Sequence, residues 1–158
     1  MTAQQTTATA VRRSITVAAP VEKAFAVFTD RFGAWWPLDH HIGDQDPETV
    51  VIEPRRGGRW YERTAGGAEA DWGVVLVWEP PARLVLAWRL DAEWKHNPDP
   101  VKQTEIEVRF VPDGPGRTRV DLEHRLLDRF GSNAEQMRAT FESEAGWVGL
   151  LRRYANAV

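Results

Sequence analysis

The sequence predicts an α+β domain in which one strand and two short helices precede an antiparallel meander, and a single long helix closes the chain. Three observations predict it. A proline-led run with apolar residues at helical spacing follows a β-branched segment; the hydrophobic period then changes to two from Thr49 to Leu126; and from Ser132 onward it returns to alternating steps of three and four.

Val11 to Val17 is rich in β-branched residues and reads as a strand. Pro20 suits the first turn of a helix, where its missing N–H is not needed, and Val21, Ala24, Phe25 and Phe28 recur at i, i+3, i+4 and i+7. Asp30 to Trp36 adds a second short helical turn that ends at Pro37, because proline cannot continue a helix and restricts the residue before it. A loop with Asp39, His40, His41 and Gly43 follows.

The meander comes next. Val50 and Ile52 open it, Gly57-Gly58 precede a run from Arg59 to Thr64, and Ala65-Gly66-Gly67 turns into Asp71 to Trp78. Pro80-Pro81 separates that run from Arg83 to Leu90. After a polar excursion through Asn97-Pro98-Asp99-Pro100, the runs Thr104 to Val111 and Thr118 to Leu126 are joined across Asp113-Gly114-Pro115-Gly116. Alternation then assigns faces. Even positions carry Thr104, Ile106, Val108 and Phe110, and Thr118, Val120, Leu122, His124 and Leu126, against charged odd positions. The same parity points Trp72, Val74, Leu76, Trp78, Leu84, Leu86, Trp88 and Leu90 inward. Val75, Val77, Val85 and Ala87 make the opposite face apolar too, which predicts either a partial cover or a contact surface.

Ser132 and Glu135 have the spacing of a reciprocal helix cap, and Met137, Phe141, Glu144, Val148, Leu151 and Ala155 follow on one stripe. The expected helix runs about 24 residues, or roughly 36 Å, long enough to cross a sheet.

Composition bounds the function. With 158 residues, one domain is expected, taken as 11–158 after a flexible N-terminus of residues 1–10. No cysteine is present, which excludes disulfides, thiolate-metal sites and cysteine nucleophiles and points to a cytoplasmic type of protein. Twenty Lys and Arg against 23 Asp and Glu leave a formal charge of -3, so no basic field exists for nucleic acid or an anionic membrane. Neither a signal-peptide pattern nor a membrane-spanning apolar run occurs. Eight Trp stand beside six Phe and only two Tyr and two Met. Such large stiff rings fill cores but also line apolar cavities.

The order of elements, with Ile15-Thr16-Val17-Ala18-Ala19-Pro20-Val21-Glu22, Phe32-Gly33-Ala34-Trp35-Trp36-Pro37, Gly57-Gly58-Arg59-Trp60, the run from Gly73 to Leu84, Thr104-Glu105-Ile106-Glu107-Val108, and Gly146-Trp147 with Leu150-Leu151, resembles the helix-grip fold of the SRPBCC (START-like, birch-pollen-allergen-like) superfamily. Within it, the chain looks like the branch homologous to the heat-shock-protein ATPase activator. The resemblance covers Val11 to about Tyr154. It implies a curved antiparallel sheet of about six or seven strands wrapped round the C-terminal helix, with a cavity between them that takes apolar molecules. The full activator carries a further N-terminal domain for its chaperone partner. This chain opens its domain at about Val11, so chaperone activation is not the leading expectation.

Glu62 shares the parity of Trp60, His124 lies between Leu122 and Leu126, and Glu144 lies on the helix stripe, so three titratable groups fall on the expected inner surface. Each must find a hydrogen-bond donor, shift its pKa or face a wet cavity. They read either as satisfied structural groups or as a polar floor that orients an apolar ligand. If His124 touches Glu62 or Glu144, cyclase- or hydratase-like acid-base catalysis becomes available. Adjacent His40 and His41 lack metal-ligand spacing, so no metal is expected; no cofactor motif exists either, since the paired glycines are not followed by a phosphate-binding helix. No serine sits in a nucleophile context.

The leading expectation is therefore a carrier or sensor for a small apolar or aromatic molecule, in a cavity lined by Trp60, Glu62, Trp72, Leu86, Trp88, Phe110, His124, Phe141, Glu144 and Trp147. The alternatives are the His124 enzyme and an interaction or co-chaperone-like module, including a homodimer, that uses the apolar outer face. Gly146 is expected to allow close approach of the last helix to the sheet or first helix, with Trp147 closing one end of the cavity and Gly149 on the surface.

Overall fold

A computed structural model describes residues 10–158; of the expected flexible start, 1–10, only Ala10 lies among them. The chain forms β1 (Val11–Val17), α1 (Val21–Thr29), α2 (Phe32–Trp35), β2 (Thr49–Ile52), β3 (Arg59–Arg63), β4 (Glu69–Glu79), β5 (Arg83–Trp88), β6 (Thr104–Pro112) and β7 (Thr118–Arg125). A 3-10 segment (Leu127–Asn133), α3 (Ala134–Glu142), a π-turn (Glu144–Val148) and α4 (Gly149–Ala157) complete it. All seven strands join one antiparallel sheet in the order β1-β7-β6-β5-β4-β3-β2. Consecutive strands are neighbours from β2 to β7, through short connections except for the longer one between β5 and β6, and β1 closes the far edge against β7. This is the helix-grip architecture: a curled sheet with helices on its concave face.

The parity expected for β5 to β7 holds: Leu84, Leu86, Trp88, Ile106, Val108, Phe110, Val120, Leu122 and His124 are all buried on the inner face. In β4 it holds at Trp72 and Trp78 and fails between them, because two bulges shift the register. Trp60 pairs Gly73 while Tyr61 pairs Asp71, so Trp72 is the extra residue; Val75 pairs Leu86 while Val77 pairs Val85, so Leu76 is another. Between the bulges, odd positions face inward. Val75 is buried in the core, whereas Val74 and Leu76, expected inside, are only half-buried. Gly73 thereby faces Trp60 and Trp88, and a Cβ there would run into the Ala87 carbonyl and sit 3.3 Å from the Trp60 ring.

The apolar outer face expected on β4 and β5 is not an open surface. Val85 and Ala87 are buried, and the strands beside them carry an ion lattice. Arg83 (2.6 Å), Arg109 (3.1 Å) and Arg125 (3.2 Å) converge on Glu107, and Arg125 also reaches Glu105 (3.0 Å) and Glu123 (3.4 Å). Burial pushes the Glu107 carboxyl up, but the Arg83 hydrogen bond and the charges of Arg109 and Arg125 hold it below the usual carboxylate range. Of the four outward apolar side chains that supported an interaction module, only Val77 remains half-buried; the bulges put half-buried Val74 and Leu76 beside it in place of Val75.

The helix expected to run unbroken from Ser132 is interrupted. Ser143 turns extended (φ -77°, ψ 173°) and Gly146 leaves helical geometry (φ -92°, ψ -137°), so α3 and α4 are separate segments joined by the π-turn. The Ser132–Glu135 cap does not form either. Asn133 precedes α3 without a side-chain cap, and Glu135 pairs Arg138 one turn on instead. On the inner side, α4 docks through Tyr154, whose hydroxyl donates to the Ala24 carbonyl of α1 at 2.7 Å and whose ring packs on Phe28 and Trp35. Phe25 and Phe28 of α1 meet Phe110 at 5.1 and 5.8 Å. This half of the interior is a filled aromatic core.

Candidate functional site

At the other half, where α3 breaks from α4, a cavity of about 280 Å3 opens. Its walls are Trp36 and Ile42 from α2 and the loop after it, Trp72 and Trp88 from the sheet, Trp94 from the β5–β6 connection, and Thr140, Ala145, Gly146 and Leu150 from the broken helix. Asp39, His40 and His41 complete it. The indoles meet edge to face: Trp36 on Trp72 at 5.5 Å, Trp72 on Trp88 at 5.4 Å and Trp88 on Trp94 at 6.0 Å. Edge-to-face contact is the arrangement that ring quadrupoles prefer, so the wall is held rigid.

Glu62 fixes the loop side of this wall. Its carboxylate, 1% exposed, accepts from the backbone N–H of Ile42 (2.8 Å) and Gly43 (3.1 Å) and from the Trp72 indole (2.9 Å). Three donors satisfy the buried carboxyl group, and among the described residues no cation pairs with it. The loop is pinned again where the Trp36 indole donates to the His40 carbonyl at 3.1 Å and the His41 Nδ1–H to the Gly43 carbonyl at 3.0 Å.

Trp94 is half-exposed and held in the left-handed region (φ 63°), a strained setting for a bulky side chain. Asp91 builds the turn that imposes it. Its Oδ1 accepts the N–H groups of Glu93 (2.8 Å) and Lys95 (3.0 Å), while the Trp94 N–H donates to the Asp91 carbonyl (3.0 Å).

His124 lies behind the cavity rather than in it, with no exposed surface. The Trp147 indole can only donate, so the 3.1 Å contact makes His124 Nδ1 an acceptor and leaves the proton on Nε2, which donates to Thr104 Oγ1 at 2.9 Å. Burial pushes its pKa down to about 3. A neutral ring with both nitrogens engaged and no exposed surface packs as part of the core. Neither Glu62 nor Glu144 is its partner. Glu144, expected on the inner stripe, is turned to solvent by the break at Ser143 and pairs Arg152.

Of the expected lining, then, Trp72 and Trp88 border the cavity. Trp60, Leu86, Phe110, Phe141 and Trp147 pack in the core cluster, and Glu62 supports the wall from behind. Trp36, Trp94, His40, His41, Ile42 and Ala145 were missed because they sit on loops and at a helix break, where no periodicity points; Thr140 and Leu150 lie on α3 and α4 beside the stripe that the unbroken helix was expected to turn inward. One signal was available: Trp94 is a lone large ring in a polar, turn-rich stretch, where rigid scaffolds carry functional residues. Among the described residues, no three His, Asp or Glu side chains converge as metal ligands, and no helix is long and apolar enough to cross a membrane.

Solved structures include proteins similar to this chain in sequence as well as in fold. A synthase of an anthrahydroquino-γ-pyrone, Txn09, is 42% identical, with 95% of this chain and 97% of that one covered at a TM-score of 0.66. CalC, a self-sacrificing resistance protein of Micromonospora echinospora, is 34% identical over 94% and 92% of the two chains, with a TM-score of 0.69. An Hsp90 activator of Plasmodium falciparum, PFC0360w, shares the fold alone, at 16% identity over 75% and 73% with a TM-score of 0.51. No curated protein matches significantly. The model of the Activator of Hsp90 ATPase homolog 1-like protein family matches residues 18–157, from the proline-led first helix to the end of the last one, and the chain belongs to that family.

Proposed function

We propose that this protein binds a planar aromatic small molecule in the tryptophan cavity and holds it as a carrier or sensor. The observation that carries this reading is the wall itself: four indoles with Ile42 and Leu150 around open space, and polar groups limited to Asp39, His40, His41 and Thr140. The volume, about 280 Å3, falls just below the ~300–1,000 Å3 usual for ligand pockets, which suits a small ligand. Flat rings slide between indole faces at little entropic cost, because the walls are already ordered. The 42% identity to a synthase whose named product is a fused aromatic supports the same class of ligand. A chain without cysteine suits the cytoplasm.

The similarity to a synthase favours one second reading, in which the bound molecule is also cyclised. The acid-base groups would then be Asp39, His40 and His41, which border the cavity, and not His124. The experiment is native mass spectrometry of protein purified from its own host, followed by incubation of the extracted molecule with fresh protein. A bound aromatic released unchanged supports the carrier, and conversion to a product of altered mass supports the enzyme. Absence of any bound species, together with no quenching of tryptophan fluorescence by anthraquinones, would overturn both.

A further inference from the structure

Across the Trp94 turn lies a second, smaller cavity of about 220 Å3, and its chemistry differs. Arg89, Lys102 and Arg129 line it, with Asn97, Asn133 and the ring of Phe130. Two acids are also present. Asp91 spends Oδ1 on the backbone N–H groups of its own turn, and Glu93 is exposed, so the lining carries three cations against two anions.

The two guanidiniums are set by one buried residue. Arg89 Nε donates to Gln103 Oε1 at 3.0 Å and Arg129 Nη1 to the Gln103 carbonyl at 2.8 Å, with Gln103 only 9% exposed. Most of the other arginines pair with carboxylates, as at Arg12, Arg59, Arg83, Arg119, Arg125 and Arg138. Arg89 and Arg129 are half-buried and make no ion pair among the described residues, so each keeps N–H donors unspent at the same cavity. A guanidinium fork offers parallel donors to an oxyanion, and fixing one edge on a buried amide removes much of the entropy that a free side chain would lose.

We propose that this pocket is a binding site for a phosphate or carboxylate group, gripped by Arg89 and Arg129 with Lys102 at its rim. It is separate from the aromatic cavity and does not depend on that cavity's occupant. The test is titration of the whole protein with inorganic phosphate, and separately with acetate, at ionic strength held constant by sodium chloride. Backbone and arginine Nε–H resonances are followed by 1H–15N spectroscopy. Saturable shifts at Ala92, Arg129 and Phe130 are expected, with the midpoint raised about tenfold in Arg129→Gln. The anion that saturates at lower concentration identifies the natural group as phosphate-like or carboxylate-like. If Arg129→Gln loses its dispersed spectrum, Lys102→Gln, at an exposed position, decides by a smaller rise in midpoint. Linear, unsaturating shifts with both anions, or midpoints unchanged in the folded variants, would overturn the proposal.

Discussion

Lowering the pH from 7 to 5 should destabilise this protein chiefly through one residue, His124. In the unfolded chain its imidazole titrates near 6.5, whereas burial holds the folded-state pKa at about 3. Over that window the unfolded state binds the proton and the folded state does not. Stability is therefore complete above pH 6.5 and is lost as the pH falls toward 3. At pH 5 the linkage amounts to about 2 kcal/mol, and for a chain of this length it lowers Tm by roughly 4 to 8 °C. Nothing at the site offsets it, because Trp147 presents an N–H to Nδ1, where a proton would have to go. The assay is thermal unfolding at pH 7, 6 and 5, for the wild type and for His124→Gln. The variant should be less stable at pH 7 by about 1 to 3 kcal/mol, since an amide fills the two hydrogen bonds imperfectly. Its Tm should nevertheless change little between pH 7 and 5. A wild-type Tm that stays flat, or an equal fall in both proteins, refutes the reasoning.

Four further outcomes follow from the geometry. Gly146→Ala sets a methyl group 2.5 Å from the Phe141 carbonyl and closer still to that of Thr140, so thermal unfolding should show a loss of about 1 to 3 kcal/mol despite alanine's better helix propensity. Glu62→Gln turns an amide N–H toward backbone donors that now meet a carboxylate; a loss of about 1 to 3 kcal/mol and faster hydrogen exchange at Ile42 and Gly43 are expected. Trp94→Gly relieves a left-handed conformation that costs about 1 to 2 kcal/mol while removing a ring, so calorimetry should find Tm nearly unchanged as affinity for an aromatic ligand falls about tenfold. Glu144→Ala removes one exposed ion pair and should move stability by less than about 1 kcal/mol; a larger loss would place that carboxylate in the interior after all.

Much of the scaffold was legible because its signals are local. Proline at the start of α1, the glycine turns, and strict alternation in β6 and β7 each state their own structure, and their order carries the family resemblance. His124 could be placed inside from parity alone. Its inertness could not, since that depends on Trp147 and Thr104 arriving from two other elements. The bulges in β4 were illegible for a related reason. Both faces of that strand are apolar, so nothing in the pattern penalises a shift of one residue, and Val75 could exchange places with Val74 and Leu76 unseen. Gly146 and Gly149 did announce a weak point in the last helix. The obstacle that requires them is the helix's own carbonyls, of Thr140 and Phe141 for Gly146 and of Glu144 for Gly149, and not the sheet.

These departures from regularity share a location. The bulge at Trp72 adds an indole to a face already carrying Trp60 and Trp88, and Gly73 lets the three rings crowd together. Opposite them, the break between α3 and α4 removes side chains. Glu144 swings to solvent, and Ala145 and Gly146 border the space instead. Of the two non-glycine residues with positive φ among the described residues, Leu126 opens the 3-10 segment, while Trp94 stands on this same wall. A void beside indoles forfeits dispersion contacts that a close-packed interior would make, so each irregularity costs stability without improving the core. Costs of that kind persist where a site needs them. A sequence constrained only to fold could have continued the helix across the sheet with a large apolar residue at 146. What it builds is a ring-lined space with a thin backbone wall, and a ligand filling that space would restore the lost contacts.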